Sequence, residues 1–247
     1  MTEESSSLHV RVRELASAPE NLLDMVPVAE GITAWLGHGI SIVGWGCAWQ
    51  REFSGRRAMR DAARTWEEVA GTAKVELDAE GEEISWPLAL ASFGFAARST
   101  GYLVVPAFSL VKSHSRAWAV TAALGKRPPN PLEVLSPSPT QFTGPAGLWT
   151  EPGRMTQNRW KETVGRLTQM LQSGAASKVV LTRDLVVSAA QPIDERFLLS
   201  ELRRRYPSTW VYAVHGLIGA TPEMLASLRQ GRFVSRVLAG TANPDQG

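Results

Sequence analysis

Residues 177–183 have the sequence Ser-Lys-Val-Val-Leu-Thr-Arg, in which Lys178 begins an otherwise apolar segment. The apolar, β-branched residues that follow predict a strand from Lys178 to Ser188. An amphipathic helix precedes this strand, with Thr156 at its N-cap and Gly174 just past its last apolar residue. Taken alone, a lysine at the start of a strand is typical of a solvated side chain.

Two further segments lie downstream. Residues 219–223 are Gly-Ala-Thr-Pro-Glu, a glycine-led turn that ends in the carboxylate of Glu223. Residues 237–241 are Val-Leu-Ala-Gly-Thr and close a predicted hairpin over 223–239, which turns at 229–232. By itself, the turn at Glu223 is typical of a solvated loop.

The region before the connector is rich in strands. Turn residues separate three apolar runs at 89–97, 101–110 and 116–123. Strands that follow one another over such short connections pair antiparallel, so this spacing predicts a meander.

Composition excludes several classes of partner. The net charge is +2, with 20% charged residues, which favours neither nucleic acid nor a membrane surface. The single cysteine, Cys47, excludes an internal disulfide, and the four scattered histidines have no metal-ligand spacing. No apolar run reaches the ~18 residues of a membrane span, and the acidic start does not resemble a secretory signal. We therefore expect a cytoplasmic protein.

The three segments, in this order and spacing, resemble the chorismate-binding enzymes. That family includes isochorismate synthase, salicylate synthase, the large subunit of anthranilate synthase and aminodeoxychorismate synthase. The resemblance is strongest over residues 156–245 and extends more weakly to the strands from residue 89 onward.

Individual residues separate the branches of this family. Members that use ammonia to make anthranilate typically carry glutamine in place of Lys178, whereas members that use water carry lysine. Aminodeoxychorismate synthases commonly have a nucleophilic lysine in place of Ala239. Residues 238–245, Leu-Ala-Gly-Thr-Ala-Asn-Pro-Asp, are similar to isochorismate synthases of the menaquinone pathway. The resemblance thus points to the isochorismate synthase branch.

The resemblance also implies roles for particular residues. Lys178 would be the base that activates water, and Glu223 the acid that protonates the departing C4 hydroxyl of chorismate. Ala239, Gly240 and Thr241 would form part of the substrate-binding wall, where a missing side chain admits close approach of the ligand. The implied cofactor is Mg2+, whose ligands we expect beyond Gly247, so we expect this chain, alone, to be inactive.

The implied fold is α+β, with large, mostly antiparallel β-sheets packed together and helices outside, incomplete at the C-terminus. We predict an N-terminal β-rich half at 1–125, a connector rich in Pro, Ser and Gly at 126–152, and the start of the chorismate-binding region at 153–247, all within one domain. We expect a monomer that binds neither nucleic acid nor membrane. The alternatives are a salicylate synthase or another chorismate-using enzyme and, in another class, a non-catalytic ligand-binding module.

Overall fold

The computed structural model describes residues 7–37, 39–78, 84–96, 98–135, 142–229 and 231–235. The strands are β1 (Leu8–Glu14), β2 (Thr33–Leu36), β3 (Ile40–Trp45), β4 (Trp49–Ser54), β5 (Lys74–Asp78), β6 (Leu90–Phe93), β7 (Thr100–Val105), β8 (Phe108–Ser113), β9 (Arg116–Leu124), β10 (Trp149–Pro152), β11 (Leu185–Ser188), β12 (Trp210–Val214), β13 (Leu217–Thr221), β14 (Ser227–Arg229) and β15 (Arg232–Val234). The helices are α1 (Ala58–Gly71), α2 (Pro131–Val134), α3 (Gln157–Gln172) and α4 (Glu195–Arg205), with a 3-10 turn at Leu22–Met25.

An eight-stranded sheet forms the centre of the fold, in the order β13-β12-β2-β3-β8-β9-β1-β5. Every neighbouring pair in it is antiparallel except β1 and β5, which run parallel. Strand β12 pairs with β2, so that Ala213 lies opposite Ala34. The sheet therefore joins residues from the beginning of the chain to residues far along it.

A three-stranded sheet, β4-β7-β6, packs against one face of the large sheet. Alternation in β1 buries Leu8, Val10 and Val12, and these contribute to a cluster that also contains Leu90 and Val104 of the smaller sheet. Since successive side chains of a strand point to opposite faces, each strand supplies every second residue to this core.

Helix α4 and the 3-10 turn cover the opposite face of the large sheet. Leu199 of α4 and Leu23 of the 3-10 turn are completely buried, in one cluster with Leu110 and Val211 of the sheet. The large sheet is thus buried on both faces, and the predicted α+β class with mainly antiparallel sheets is confirmed.

The predicted meander is only partly present. Residues 101–110 form two strands rather than one, because β7 ends at Val105 and β8 begins at Phe108 in the other sheet. Pro106 lies at the break, where its missing N–H cannot continue a strand ladder. The antiparallel pairing within each sheet was predicted, but the change of sheet at this proline was not.

The chain forms two compact units, one of residues 1–142 with 195–247 and one of residues 143–194. The smaller unit contains α3 and the antiparallel pair β10 and β11.

Thr156 caps α3, as predicted, by accepting the backbone N–H of Arg159 at 3.3 Å, and Gly174 beyond the helix has φ +79°. No residue of α3 is buried. The division at residues 125 and 152 proposed from sequence stays a prediction.

Candidate active site

Lys178 lies in the smaller unit, in the irregular segment between α3 and β11, and its side chain is exposed. The predicted strand from Lys178 to Ser188 is wrong over its first part, because only Leu185–Ser188 forms a strand. The cause is a lack of partner backbone, since β10 offers only Trp149–Pro152 as a ladder for β11. Lys178 therefore precedes a strand by several residues rather than beginning one.

Asp184 fixes the point where β11 begins. Its backbone carbonyl accepts the N–H of Gly153 at 3.3 Å, and its carboxylate accepts the backbone N–H of Arg154 at 3.1 Å. The Arg154 guanidinium donates to the same carboxylate at 3.3 Å. A hydrogen bond from the Asp184 backbone itself, and then the bonds from Arg154, hold the pKa of this carboxyl below its usual value. The aspartate therefore anchors the chain on the C-terminal side of the Lys178 segment.

Glu223 lies in the larger unit, two residues after β13, and its side chain is exposed. The backbone N–H of Glu223 donates to the Thr221 hydroxyl oxygen at 3.2 Å, which holds the turn around Pro222. This role of Thr221 was not predicted from the sequence. A threonine whose hydroxyl accepts the backbone N–H of the residue two positions later is typical of such a turn.

Strand β13, which ends two residues before Glu223, packs closely against the neighbouring strand β12. Tyr212 lies opposite Gly219 in the register, and a Cβ atom added at Gly219 would be 2.5 Å from the Tyr212 hydroxyl oxygen. Only glycine fits at this position without displacing the ring. The glycine that leads the segment Gly219–Glu223 is thus required by packing.

The third segment that carries the resemblance comprises residues 237–241. Ala239, Gly240 and Thr241 lie outside the described residues. The hairpin before them is present as β14 and β15, with Arg229 opposite Arg232 and Gly231 at φ +77°. The predicted hairpin turn is confirmed.

The two candidate catalytic residues belong to different compact units, Lys178 to the smaller unit and Glu223 to the larger one. Over the residues that the structure describes, no group of three or more His, Cys, Asp or Glu side chains could hold a metal ion. Mg2+ as the cofactor, and the expectation that its ligands lie beyond Gly247, stay predictions. Nor is any helix in the described ranges long and apolar enough to cross a membrane.

The sequence matches a known protein family over most of its length. Residues 35–247 match the family described as chorismate binding enzyme. The chain therefore belongs to the family of chorismate-binding enzymes, which confirms the family to which the three segments pointed. A comparison with curated proteins finds no significant match to this sequence.

Solved structures with a similar fold include MenF and DhbC. One is MenF, the menaquinone-specific isochorismate synthase from Escherichia coli, with a TM-score of 0.56 and 15% identity over 90% of this chain and 52% of that chain. The other is DhbC from Bacillus anthracis, described as a putative 2,3-dihydroxybenzoate-specific isochorismate synthase, with a TM-score of 0.55 and 19% identity over 91% of this chain and 54% of that chain. The chain thus has the fold of isochorismate synthases and spans about half the length of these two relatives.

Proposed function

We propose that this chain carries part of the catalytic site of an isochorismate synthase, which isomerises chorismate to isochorismate. The observation that carries the proposal is the lysine at position 178, inside a sequence that matches the chorismate-binding family from residue 35 to 247. Lysine in that segment is typical of the family members that use water. Glu223, at the end of the Gly-Ala-Thr-Pro-Glu turn, supplies the second group that the reaction needs.

The reaction replaces one hydroxyl by another without changing the formula. The oxygen of a water molecule bonds to C2 of the ring, the double bonds shift, and the C4 hydroxyl leaves as water. Lys178 accepts a proton from the attacking water, and Glu223 donates a proton to the departing oxygen. Proton exchange with solvent then restores both residues, so that atoms and charge balance over the cycle.

The protonation states that these roles require depend on the surroundings of both groups. A lysine accepts a proton only in its neutral form, which burial or a nearby cation favours. A glutamate donates a proton only in its protonated, neutral form, which an apolar pocket favours. In the described structure both side chains are exposed. We therefore propose that the 247-residue chain by itself is inactive, and that turnover requires both groups to be enclosed.

Mg2+ stays the cofactor that the family resemblance implies, and the proton transfers proposed above involve Lys178 and Glu223 alone. We propose the menaquinone pathway as the destination of the product, on the similarity of residues 238–245 to isochorismate synthases of that pathway. A cytoplasmic location and a monomeric state remain predictions.

The experiment is a chorismate turnover assay with product identification by liquid chromatography and mass spectrometry. It compares the 247-residue chain with the protein that the complete gene encodes, each with Mg2+ and after its fold has been checked by circular dichroism. Isochorismate as the product of the complete protein supports the proposal. Salicylate and pyruvate would indicate the salicylate synthase alternative. Chorismate binding without consumption by the complete protein would indicate a binding module and overturn the proposed activity.

A further inference from the structure

A cavity of about 550 Å³ lies in the larger unit, beside the turn between β12 and β13. Its walls come from the loop before β2, the turn between β3 and β4, strand β7, the start of α4 and the turn His215–Gly216. A volume of this size is typical of pockets that hold small organic molecules. The turn at His215 and Gly216 precedes β13, whereas Thr221 and Glu223 follow at its other end, so this cavity is separate from the proposed acid.

Glu195 holds one wall of the cavity in place. Its carboxylate accepts the backbone N–H of Ile32 at 2.7 Å, and its own backbone N–H donates to the carbonyl oxygen of Ala29 at 2.8 Å. Because these bonds connect the first turn of α4 to the loop before β2, the carboxylate has a fixed position at the cavity wall.

The part of the cavity wall at His215 and Gly216 is also fixed. His215 has φ +50° and Gly216 has φ +79°, the backbone angles of a tight hairpin turn. The His215 ring stacks on the Tyr102 ring, with centroids 3.7 Å apart. The cavity is therefore bounded by two walls that tertiary contacts hold in place.

The charges at the cavity define the kind of ligand that it fits. Two carboxylates, Glu30 and Glu195, line it, and among its described lining residues there is no lysine or arginine. Val28, Ile32 and Val104 add apolar surface. A metal ion is not supported, since no group of three or more ligating side chains is present in the described residues. We propose that this cavity binds a small organic cation, a primary amine with an apolar body.

The test is a titration of the chain with 2-phenylethylamine, 2-phenylethanol and 3-phenylpropionate, which have similar apolar bodies and different charges. Calorimetry measures affinity, and amide chemical shifts locate the bound molecule. We expect the amine to bind about tenfold more tightly than the alcohol, with shifts at residues 28–33, 46–50 and 215–216, and the carboxylate not to bind.

Two substitutions test the carboxylates. Glu195→Gln retains an oxygen that can accept the Ile32 N–H, and Glu30 is an exposed residue whose substitution leaves that bond unchanged. We expect Glu195→Gln to weaken amine binding about fivefold and Glu30→Gln about twofold, while the control Glu52→Gln on β4 leaves it unchanged. Equal binding of the amine and the alcohol, shifts confined to other residues, or unchanged affinity in both cavity variants would overturn the proposal. None of these results depends on turnover of chorismate.

Discussion

The hydroxyl of Tyr212 lies against the backbone of Gly219, on the neighbouring strand of the same hairpin. A Cβ atom at position 219 would be 2.5 Å from the Tyr212 hydroxyl oxygen and 2.7 Å from its Cζ atom. The contact places an aromatic ring across the strand that leads to Thr221 and Glu223. In the sequence Gly-Ala-Thr-Pro-Glu, packing therefore requires the first residue, Gly219, to be glycine, and the last residue, Glu223, is the proposed acid.

We predict that Gly219→Ala destabilises the protein by about 1–3 kcal/mol, because the rigid ring of Tyr212 must move to admit the methyl group. Thermal or urea unfolding measures this loss. The matched control is Gly165→Ala in α3, where an added Cβ meets no atom within 4 Å. That control should gain about 0.5–1 kcal/mol, because alanine is the better helix residue. Equal effects of the two substitutions would contradict the packing argument.

We predict that Lys178→Ala and Glu223→Gln each lower turnover by the complete protein at least ~100-fold, because each removes a group that moves a proton. Both side chains are exposed in the described structure, so the unfolding temperature should change little. The control is Lys161→Ala on the exposed surface of α3, which should retain full turnover. Near-normal turnover in either variant would remove that residue from the mechanism.

We predict that Thr221→Val lowers kcat by ~10-fold, because the turn that positions Glu223 loses the oxygen that accepts the Glu223 N–H. The same loss should cost at most about 1 kcal/mol of stability, since the site is exposed to water. Thr221→Ser retains the hydroxyl and should restore most of the activity. If serine and valine behave alike, the hydrogen bond has no part in positioning the acid.

We predict a pH-dependent contribution to stability from the pair Glu14 and Arg116, which joins β1 to β9. The Glu14 carboxylate accepts two hydrogen bonds from the Arg116 guanidinium, each at 2.7 Å. This hydrogen bonding lowers the pKa of Glu14 from its ordinary value of 4.5. A carboxyl whose pKa is lower in the folded state stabilises the protein above its unfolded-state pKa, and this contribution is lost as the pH falls through the folded-state pKa.

Unfolding temperatures of the wild type and Glu14→Gln, measured as a function of pH, test this prediction. The difference between them should be constant at neutral pH and shrink as the pH falls below 4.5. Arg116→Gln removes the other partner of the same pair, and its difference from the wild type should shrink over the same pH range. A Glu14→Gln difference that persists unchanged in acid would show that the ion pair is not its cause.

Local features were predictable from the sequence. The bounds of α3 follow from a hydroxyl that caps the first turn at Thr156 and a glycine that follows the last turn at Gly174. The hairpin of β14 and β15 turns at Gly231, which adopts the positive φ that glycine tolerates. In each case, the residues that determine the structure are neighbours in sequence.

Non-local features were not predictable. The apolar run after Lys178 has the composition of a strand, but a strand also needs a partner, and β10 supplies one only for Leu185–Ser188. The pairing of β2 with β12 has no local signal, because its partners are distant in sequence. The family of the protein was predictable because its three segments recur at fixed spacing, whereas the placement of Lys178 and Glu223 in separate compact units was not.

The pairing of β2 with β12 sets an order for folding on the ribosome. The strands from β2 to β9 can associate early in synthesis, but the edge of β2 that receives β12 stays open until residues 211–213 have emerged. The nascent chain must therefore keep an unpaired strand edge in solution while the whole smaller unit is translated. An open edge of this kind is where intermolecular strand pairing begins, so slow synthesis or high expression temperature should favour aggregation over correct folding.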